Sequence, residues 1–107
     1  MIEGFPEKAI VILNLVNPKE KLWGGLLGAS QVGVTLRGMN LDSFEDWVRQ
    51  IATESDESTL DVVTMFVPMF RVERIFLDEE VGMVQSYSEY FEERVGKTPD
   101  EHLGLTE

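Results

Sequence analysis

Residues 21–37, KLWGGLLGASQVGVTLR, contain four glycines inside what otherwise has the pattern of two β-strands. A glycine in a strand interior costs about 0.5–1 kcal/mol relative to alanine and gives the core no side chain to pack. Strands that bend strongly, as they must in a small barrel, need small residues or bulges at the bends. Gly24, Gly25 and Gly28 therefore predict a strongly curled sheet. Gly33 keeps one face of the following strand thin.

The hydrophobic pattern predicts five strands in all. Three apolar runs between residues 9 and 38 are joined by short polar breaks, which is typical of an antiparallel meander. Two further β-prone runs lie at 60–67 and 70–77. Pro68 separates them because it has no N–H to donate to a strand ladder.

Helical spacing begins after Asn40. Residues 42–53 carry apolar side chains at i, i+3, i+4 and i+7, and these side chains are Phe44, Trp47, Val48 and Ile51. Asp42 is the predicted N-cap, with Glu45 three residues later as in a capping box. Five aromatic residues could form a site for a protein partner, but we expect them to bury helix faces against the sheet instead; they are Trp23, Trp47, Tyr87, Tyr90 and Phe91.

A second helical region ends the chain. Ser86 and Glu89 predict another capping box, and Gly96 fits the left-handed position after a helix. Thr98 and Pro99 predict the start of one last short helix. The 107 residues are thus expected to form a single domain, 1–107, that is mainly β. Its predicted parts are strands within 9–37 and 60–77, a helical insert at 42–53 and a C-terminal helical extension at 86–103.

Two stretches match patterns of a known family without a gap. Residues 21–37 follow K-L-x-G-x-hydrophobic-x-x-hydrophobic-D-x-x-hydrophobic-hydrophobic-L-L-K/R, and residues 67–75 lie along V-Y-K-H-A-I-S-T-I. Both patterns are those of the bacterial RNA chaperone Hfq, so the chain resembles the Sm-like family, which also includes the Sm and LSm proteins. The resemblance implies a five-stranded SH3-like antiparallel barrel, here with a helix between strands 3 and 4 and C-terminal helices.

The positions that bind RNA in the family carry other residue types here. Ser30 stands where the family has a turn aspartate, and Val32 stands where it has an aromatic that stacks on bases. Gln31, between them, keeps the polar residue. The tyrosine, lysine and histidine of the second pattern correspond to Pro68, Met69 and Phe70.

The resemblance implies RNA binding as one alternative function. Sm-like proteins hold single-stranded RNA by stacking and by contacts to bases and phosphates. The candidate ligand residues here are Gln31, Phe70, Arg71 and Lys21. The competing interpretation is that the basic residues are solvated strand charges that pair across strands.

The resemblance also implies assembly into a homo-oligomer, such as a ring, through the fourth and fifth strands. Both runs are long and β-prone and contain no lysine, which makes them adhesive edges unless they are paired. The residues expected near a subunit interface are Phe66, Val67, Val72 and Phe76. The alternative is a monomer whose helices cover the strand edges.

The formal net charge is −11, and the acidic residues lie in two blocks. Residues 41–61 hold seven acids and one base, and residues 78–107 hold nine acids and two bases. These blocks repel phosphates within a Debye length of about 8–10 Å. They also suggest a third function, an acidic adaptor whose helices recruit a protein partner.

Nothing in the sequence indicates an enzyme, a cofactor or a metal site. The chain has no cysteine, and its one histidine, His102, has no nucleophile at a recognisable spacing and is expected at the surface. Residues 54–57 lack the ligand spacing and glycine of a calcium loop. The sequence has neither a signal peptide nor a membrane span, so we expect a protein of the bacterial cytoplasm with no membrane partner.

Overall fold

The structure of the chain is a computed structural model, and it describes residues 3–53 and 62–105. The described residues form five β-strands, three α-helices and two 3-10 turns. In chain order the strands and helices are β1 (Ile10–Leu15), β2 (Glu20–Ala29), β3 (Gly33–Asn40), α1 (Phe44–Thr53), β4 (Val63–Pro68), β5 (Val72–Leu77), α2 (Tyr87–Val95) and α3 (Pro99–Leu103). The 3-10 turns are Leu41–Ser43, which leads into α1, and Met69–Arg71, here called the corner turn.

The five strands form one antiparallel sheet in the order β4-β3-β2-β1-β5, which confirms the predicted five strands with a helix after the third. The predicted closed barrel is wrong, because the sheet is open and β4 and β5 do not pair. The corner turn, a 3-10 turn, separates the two outer strands in sequence, and each pairs with a different neighbour, β4 with β3 and β5 with β1.

One face of the sheet carries the inner core. Successive residues of a strand point to opposite faces, so Val11, Leu13 and Leu15 of β1 lie together on this face. Every strand adds apolar side chains to it, including Leu26, Leu36 and Val67 among the buried ones and Met65, Val72, Ile75 and Leu77 among those partly buried. The two outer strands are joined by a short turn, so the sheet curls around this core.

The opposite face carries the helical core, in which the three helices pack on the sheet. Trp23 and Met39 of the sheet contact side chains of the helices and of the chain end, namely Phe44, Trp47, Val48, Ile51, Phe91, Leu103 and Leu105. The Phe91 ring is stacked on Trp47 with 5.1 Å between ring centroids. The prediction that these aromatic residues cover helix faces against the sheet is therefore confirmed for Trp23, Trp47 and Phe91, which are fully buried.

Two glycines of β2 have identifiable steric reasons. A Cβ at Gly24 would lie 2.6 Å from the Cα of Gly38 on β3, so the two strands approach too closely for a side chain. A Cβ at Gly25 would collide with the side chain of Leu105, whose Cγ lies at 3.0 Å. The β2–β3 register also shifts between Leu26 and Gly28, as at a β-bulge, in agreement with the predicted bending.

The helix caps are partly as predicted. Ser86 and Glu89 form the capping box at the start of α2, and Gly96 ends this helix with φ 85°. Asp42 is not the N-cap of the first helical segment, however. The helical path begins earlier, at the 3-10 turn, and the Oδ1 of Asn40 accepts the N–H of Asp42 at 2.8 Å.

His102 is buried rather than at the surface, as α3 packs it against the ring of Phe91 with 5.4 Å between centroids. The acidic stretch at 54–57 lies outside the described residues. In the portion of the chain that the structure describes, no helix is long and apolar enough to cross a membrane.

Candidate assembly edges and ligand surface

β4 is one outer strand of the sheet, and in the described residues its outward edge has no strand partner. Phe66 stands opposite Thr35 and is exposed, with its ring lying over Gly33, where an added Cβ would collide with the ring. The neighbouring Val67 is buried in the inner core. Of the two β4 residues predicted at an interface, Phe66 is therefore at the surface and Val67 is a core residue.

β5 is the other outer strand, and within residues 3–53 and 62–105 it is likewise paired on one side only, with β1. Phe76 stands opposite Ile12 and is exposed, and the guanidinium of Arg74 lies 5.8 Å from the centroid of its ring. Val72 is half-buried and packs against the inner core. The exposed apolar side chain on this edge is thus Phe76.

Phe66 and Phe76 lie on the same face of the sheet. Ile12, opposite Phe76, also stands opposite Trp23, which belongs to the helical core. Trp23 stands opposite Met39 of β3, and Thr35 shares the face of Met39 because it lies four residues earlier in the same strand. Phe66 stands opposite Thr35, so its ring lies on this face as well. Both exposed rings therefore flank the helical face, one at each edge of the sheet.

The corner turn forms an exposed surface with the turn between β2 and β3. The N–H of Met69 donates to the carbonyl of Val32 at 2.9 Å, which joins the two turns. Phe70 is 82% exposed, and Gln31 and Val32 are exposed beside this hydrogen bond. Two of the predicted ligand residues, Gln31 and Phe70, thus lie on adjoining turns.

Arg71 holds the corner turn to the turn between β1 and β2. Its Nε donates to the carbonyl of Val16 at 2.7 Å, and its Nη2 donates to the carbonyl of Pro18 at 2.8 Å. The same Nη2 lies 2.9 Å from a carboxylate oxygen of Glu20, and both residues are half-buried. Because its Nε and Nη2 donate to three acceptors near the turn between β1 and β2, Arg71 has a structural role at this corner.

Lys21 lies apart from the other three predicted ligand residues. It stands opposite Asn14 and lines a surface groove of about 680 Å³. Asn14 and Tyr87 line the same groove, together with the acidic residues Asp42 and Glu73. The four residues predicted to bind RNA are therefore divided between this groove and the corner.

Asp78 connects the sheet to α2, and sequence reasoning missed it. One carboxylate oxygen accepts the indole N–H of Trp23 at 2.9 Å, the backbone N–H of Ser88 at 2.8 Å and the hydroxyl of Ser88 at 2.7 Å. The other oxygen accepts the backbone N–H of Tyr87 at 2.9 Å. The partners lie up to 55 residues away in sequence, so no local motif indicates this contact.

Within residues 3–53 and 62–105, no group of three or more histidine or acidic side chains is placed to hold a metal ion. A scan against protein-family models, a search of curated proteins and a search of solved structures each found no match to the chain. The Sm-like resemblance therefore rests on the two sequence stretches alone.

Proposed function

We propose that the chain is a homo-oligomeric binding and assembly module of the Sm-like type, located in the bacterial cytoplasm, in which the β4 edge of one copy pairs with the β5 edge of the next. The observation that carries this proposal is that each outer strand has an outward edge with no strand partner among the described residues, and each carries an exposed phenylalanine on the helical face. Native sheets usually protect such edges with charge, proline or a covering element.

The two edges are complementary to each other. Antiparallel addition of β5 from one copy to β4 of another would extend the sheet and keep its two faces continuous. Phe66 of one copy and Phe76 of the next would then lie on the same face, where one antiparallel register sets them opposite each other. Aromatic pairs across strands contribute roughly 0.2–1 kcal/mol in addition to the main-chain hydrogen bonds.

A head-to-tail contact of this kind uses two different surfaces of each copy. Such an interface generates a closed ring when the rotation between copies closes, and an open filament when it does not. The Sm-like resemblance of residues 21–37 and 67–75 favours the ring. These stretches cover most of β2 and β3 and the corner between the two outer strands.

Sedimentation velocity of single-edge variants tests the assembly. We expect the native chain to sediment as an oligomer at about 100 µM, and Phe66→Lys or Phe76→Lys to sediment as a monomer, because each introduces a charge into one edge of the pair. Each variant retains the edge that the other lacks. An equimolar mixture of the two is therefore expected to form a dimer through the intact β5 edge of the first and the intact β4 edge of the second.

Leu27→Lys is the matched control, since it places the same charge on an exposed apolar position of the central strand β2 and should leave the oligomer intact. A native chain that sediments as a monomer contradicts the proposal. An oligomer that survives Phe76→Lys but not Phe66→Lys contradicts the head-to-tail pairing and indicates that two β4 edges meet.

RNA binding is the second candidate, and the exposed Phe70 ring beside Gln31 is the observation that favours it. Stacking of one base on an aromatic ring contributes about 1–3 kcal/mol. This candidate predicts that Phe70→Ala weakens the binding of oligo-U or oligo-A at least about fivefold in fluorescence anisotropy at low salt. Met83→Ala, at an exposed methionine in another turn, is the control. Native affinity weaker than about 10⁻⁴ M eliminates this function.

A further inference from the structure

Residues 81–84, Val-Gly-Met-Val, form a closed turn between β5 and α2, here called the apolar hairpin. Val81 and Val84 exchange two backbone hydrogen bonds of 3.0 Å, and Gly82 adopts a φ of 61° at the tip. A left-handed conformation of this kind suits glycine in a two-residue hairpin turn. The two hydrogen bonds and the left-handed glycine therefore fix the backbone conformation of the turn, although its side chains are mostly exposed.

The side chains of the apolar hairpin are much more exposed than apolar side chains usually are. Met83 is 100% exposed, Val84 is 71% exposed and Val81 is 67% exposed. Two valines directly opposite each other in a β-bridge point to the same side, and the methionine projects from the tip. Single exposed apolar residues are ordinary on protein surfaces, but a contiguous exposed apolar group marks an interaction site.

Both ends of the apolar hairpin are fixed to the rest of the molecule. Asp78 before it accepts four hydrogen bonds, from Trp23, Tyr87 and Ser88, and Ser86 after it caps α2. A turn held in this way loses little conformational entropy on binding. Met83 at its tip can adapt to an irregular pocket because its side chain is unbranched and polarisable.

The charges next to the apolar hairpin define the chemistry of its partner. Glu79 and Glu80 immediately precede it, both are exposed, and neither forms an ion pair with another described residue. The chain as a whole carries a net charge of −11. Anionic lipid surfaces repel such a turn. A basic protein surface attracts it.

We propose that the apolar hairpin docks on a partner protein by inserting Met83 into a concave apolar pocket, while Glu79 and Glu80 face lysine or arginine side chains at the rim of that pocket. This surface is distinct from the strand edges that form the proposed oligomer. It also differs from the sequence-based adaptor hypothesis, which assigned the partner to the helices. The structure buries Phe91 and Leu103 of those helices in the helical core.

Photo-crosslinking from the tip identifies the partner. For this experiment, the full chain is produced in its native cells with p-benzoylphenylalanine in place of Met83. A control form carries the same photo-crosslinker in place of Glu92, which is exposed on α2. We expect one protein adduct specific to position 83. The absence of such an adduct overturns the proposal, as does an adduct to lipid or to a second copy of the chain.

Titration of the purified partner then tests the chemistry. Met83→Ser is expected to weaken binding at least about tenfold, because a side chain central to an interface is replaced by a small polar one. The double variant Glu79→Gln, Glu80→Gln is expected to weaken binding. Its affinity is also expected to fall less than the native affinity when the salt concentration rises from about 50 mM to about 500 mM. An affinity that is unchanged by Met83→Ser overturns the proposal. Because Met83 is not on either strand edge, Met83→Ser is expected to leave sedimentation of the chain unchanged, so failure of the docking proposal is distinguishable from failure of the assembly proposal.

Discussion

Replacing Trp47 by alanine is expected to lower the free energy of unfolding by about 4 kcal/mol, since alanine in place of a buried tryptophan typically costs about 3–5 kcal/mol. Trp47 is fully buried at the centre of the helical core. Its ring lies 5.1 Å from Phe91 of α2, 5.7 Å from Trp23 of the sheet and 6.2 Å from Phe44 of its own helix, measured between centroids. The truncation therefore leaves a cavity where α1, α2 and the sheet meet. Urea denaturation followed by far-ultraviolet circular dichroism measures the loss.

Trp47→Phe is the matched control for this cavity. The indole N–H of Trp47 is buried and has no hydrogen-bond partner among the described residues. Phenylalanine therefore removes an unsatisfied donor while it keeps one aromatic ring in contact with Phe91, and we expect a loss of about 1 kcal/mol or less. A loss from Trp47→Phe equal to that from Trp47→Ala contradicts this account, because it would mean that the indole nitrogen makes an essential contact.

The regular elements of this fold could be predicted because their signals are local. The alternation around Val34 and Leu36 and the 3.6-residue spacing of Phe44, Trp47 and Ile51 depend only on which face of an element is buried. The capping box of Ser86 and Glu89 is similarly contained within four residues. In each case neighbouring residues in the sequence carry the information.

The features that sequence reasoning missed depend on distant residues. The open sheet follows from where the corner turn places β5 relative to β4, which hydrophobic alternation does not encode. Gly25 was assigned to bending, but its lack of a side chain also makes room for Leu105, 80 positions later. The sequence predicts His102 at the surface, but α3 places it against the ring of Phe91. None of these contacts leaves a local pattern.

The candidate site shows the same division between features with local sequence signals and features that depend on distant residues. The exposed aromatic residues on the two outer strands, Phe66 and Phe76, could be proposed from β-prone runs that lack lysine. The sequence does not predict the hydrogen bonds that Arg71 donates to Val16, Pro18 and Glu20, because three elements must fold before these groups meet. The Sm-like resemblance predicts Arg71 as a ligand residue, and the structure adds hydrogen bonds that hold the corner turn to the turn between β1 and β2.

Replacing Asp78 by alanine is expected to lower the free energy of unfolding by about 3–4 kcal/mol, although it removes only one partly buried side chain. Its carboxylate satisfies two backbone N–H groups at the start of α2, a position where hydrogen-bonded caps contribute about 1 kcal/mol, and it also accepts the buried indole N–H of Trp23. Alanine leaves these donors without an acceptor in the protein. The loss also exceeds what a helix cap alone provides, because the contact joins α2 to the sheet.

A graded series of variants separates these contributions in urea denaturation. Ser88→Ala removes one donor and is expected to cost about 1 kcal/mol, while Asp78→Asn keeps one acceptor oxygen and is expected to fall between Ser88→Ala and Asp78→Ala. Glu79→Ala, the neighbouring exposed acid, is expected to change stability by less than about 0.5 kcal/mol. If Asp78→Ala costs no more than Glu79→Ala, the carboxylate does not hold α2 to the sheet. If Asp78→Ala lowers stability strongly and Glu79→Ala does not, the Asp78 carboxylate is the connection that fixes the apolar hairpin. Residues 81–84 lie between Asp78 and α2, whose first N–H groups this carboxylate binds.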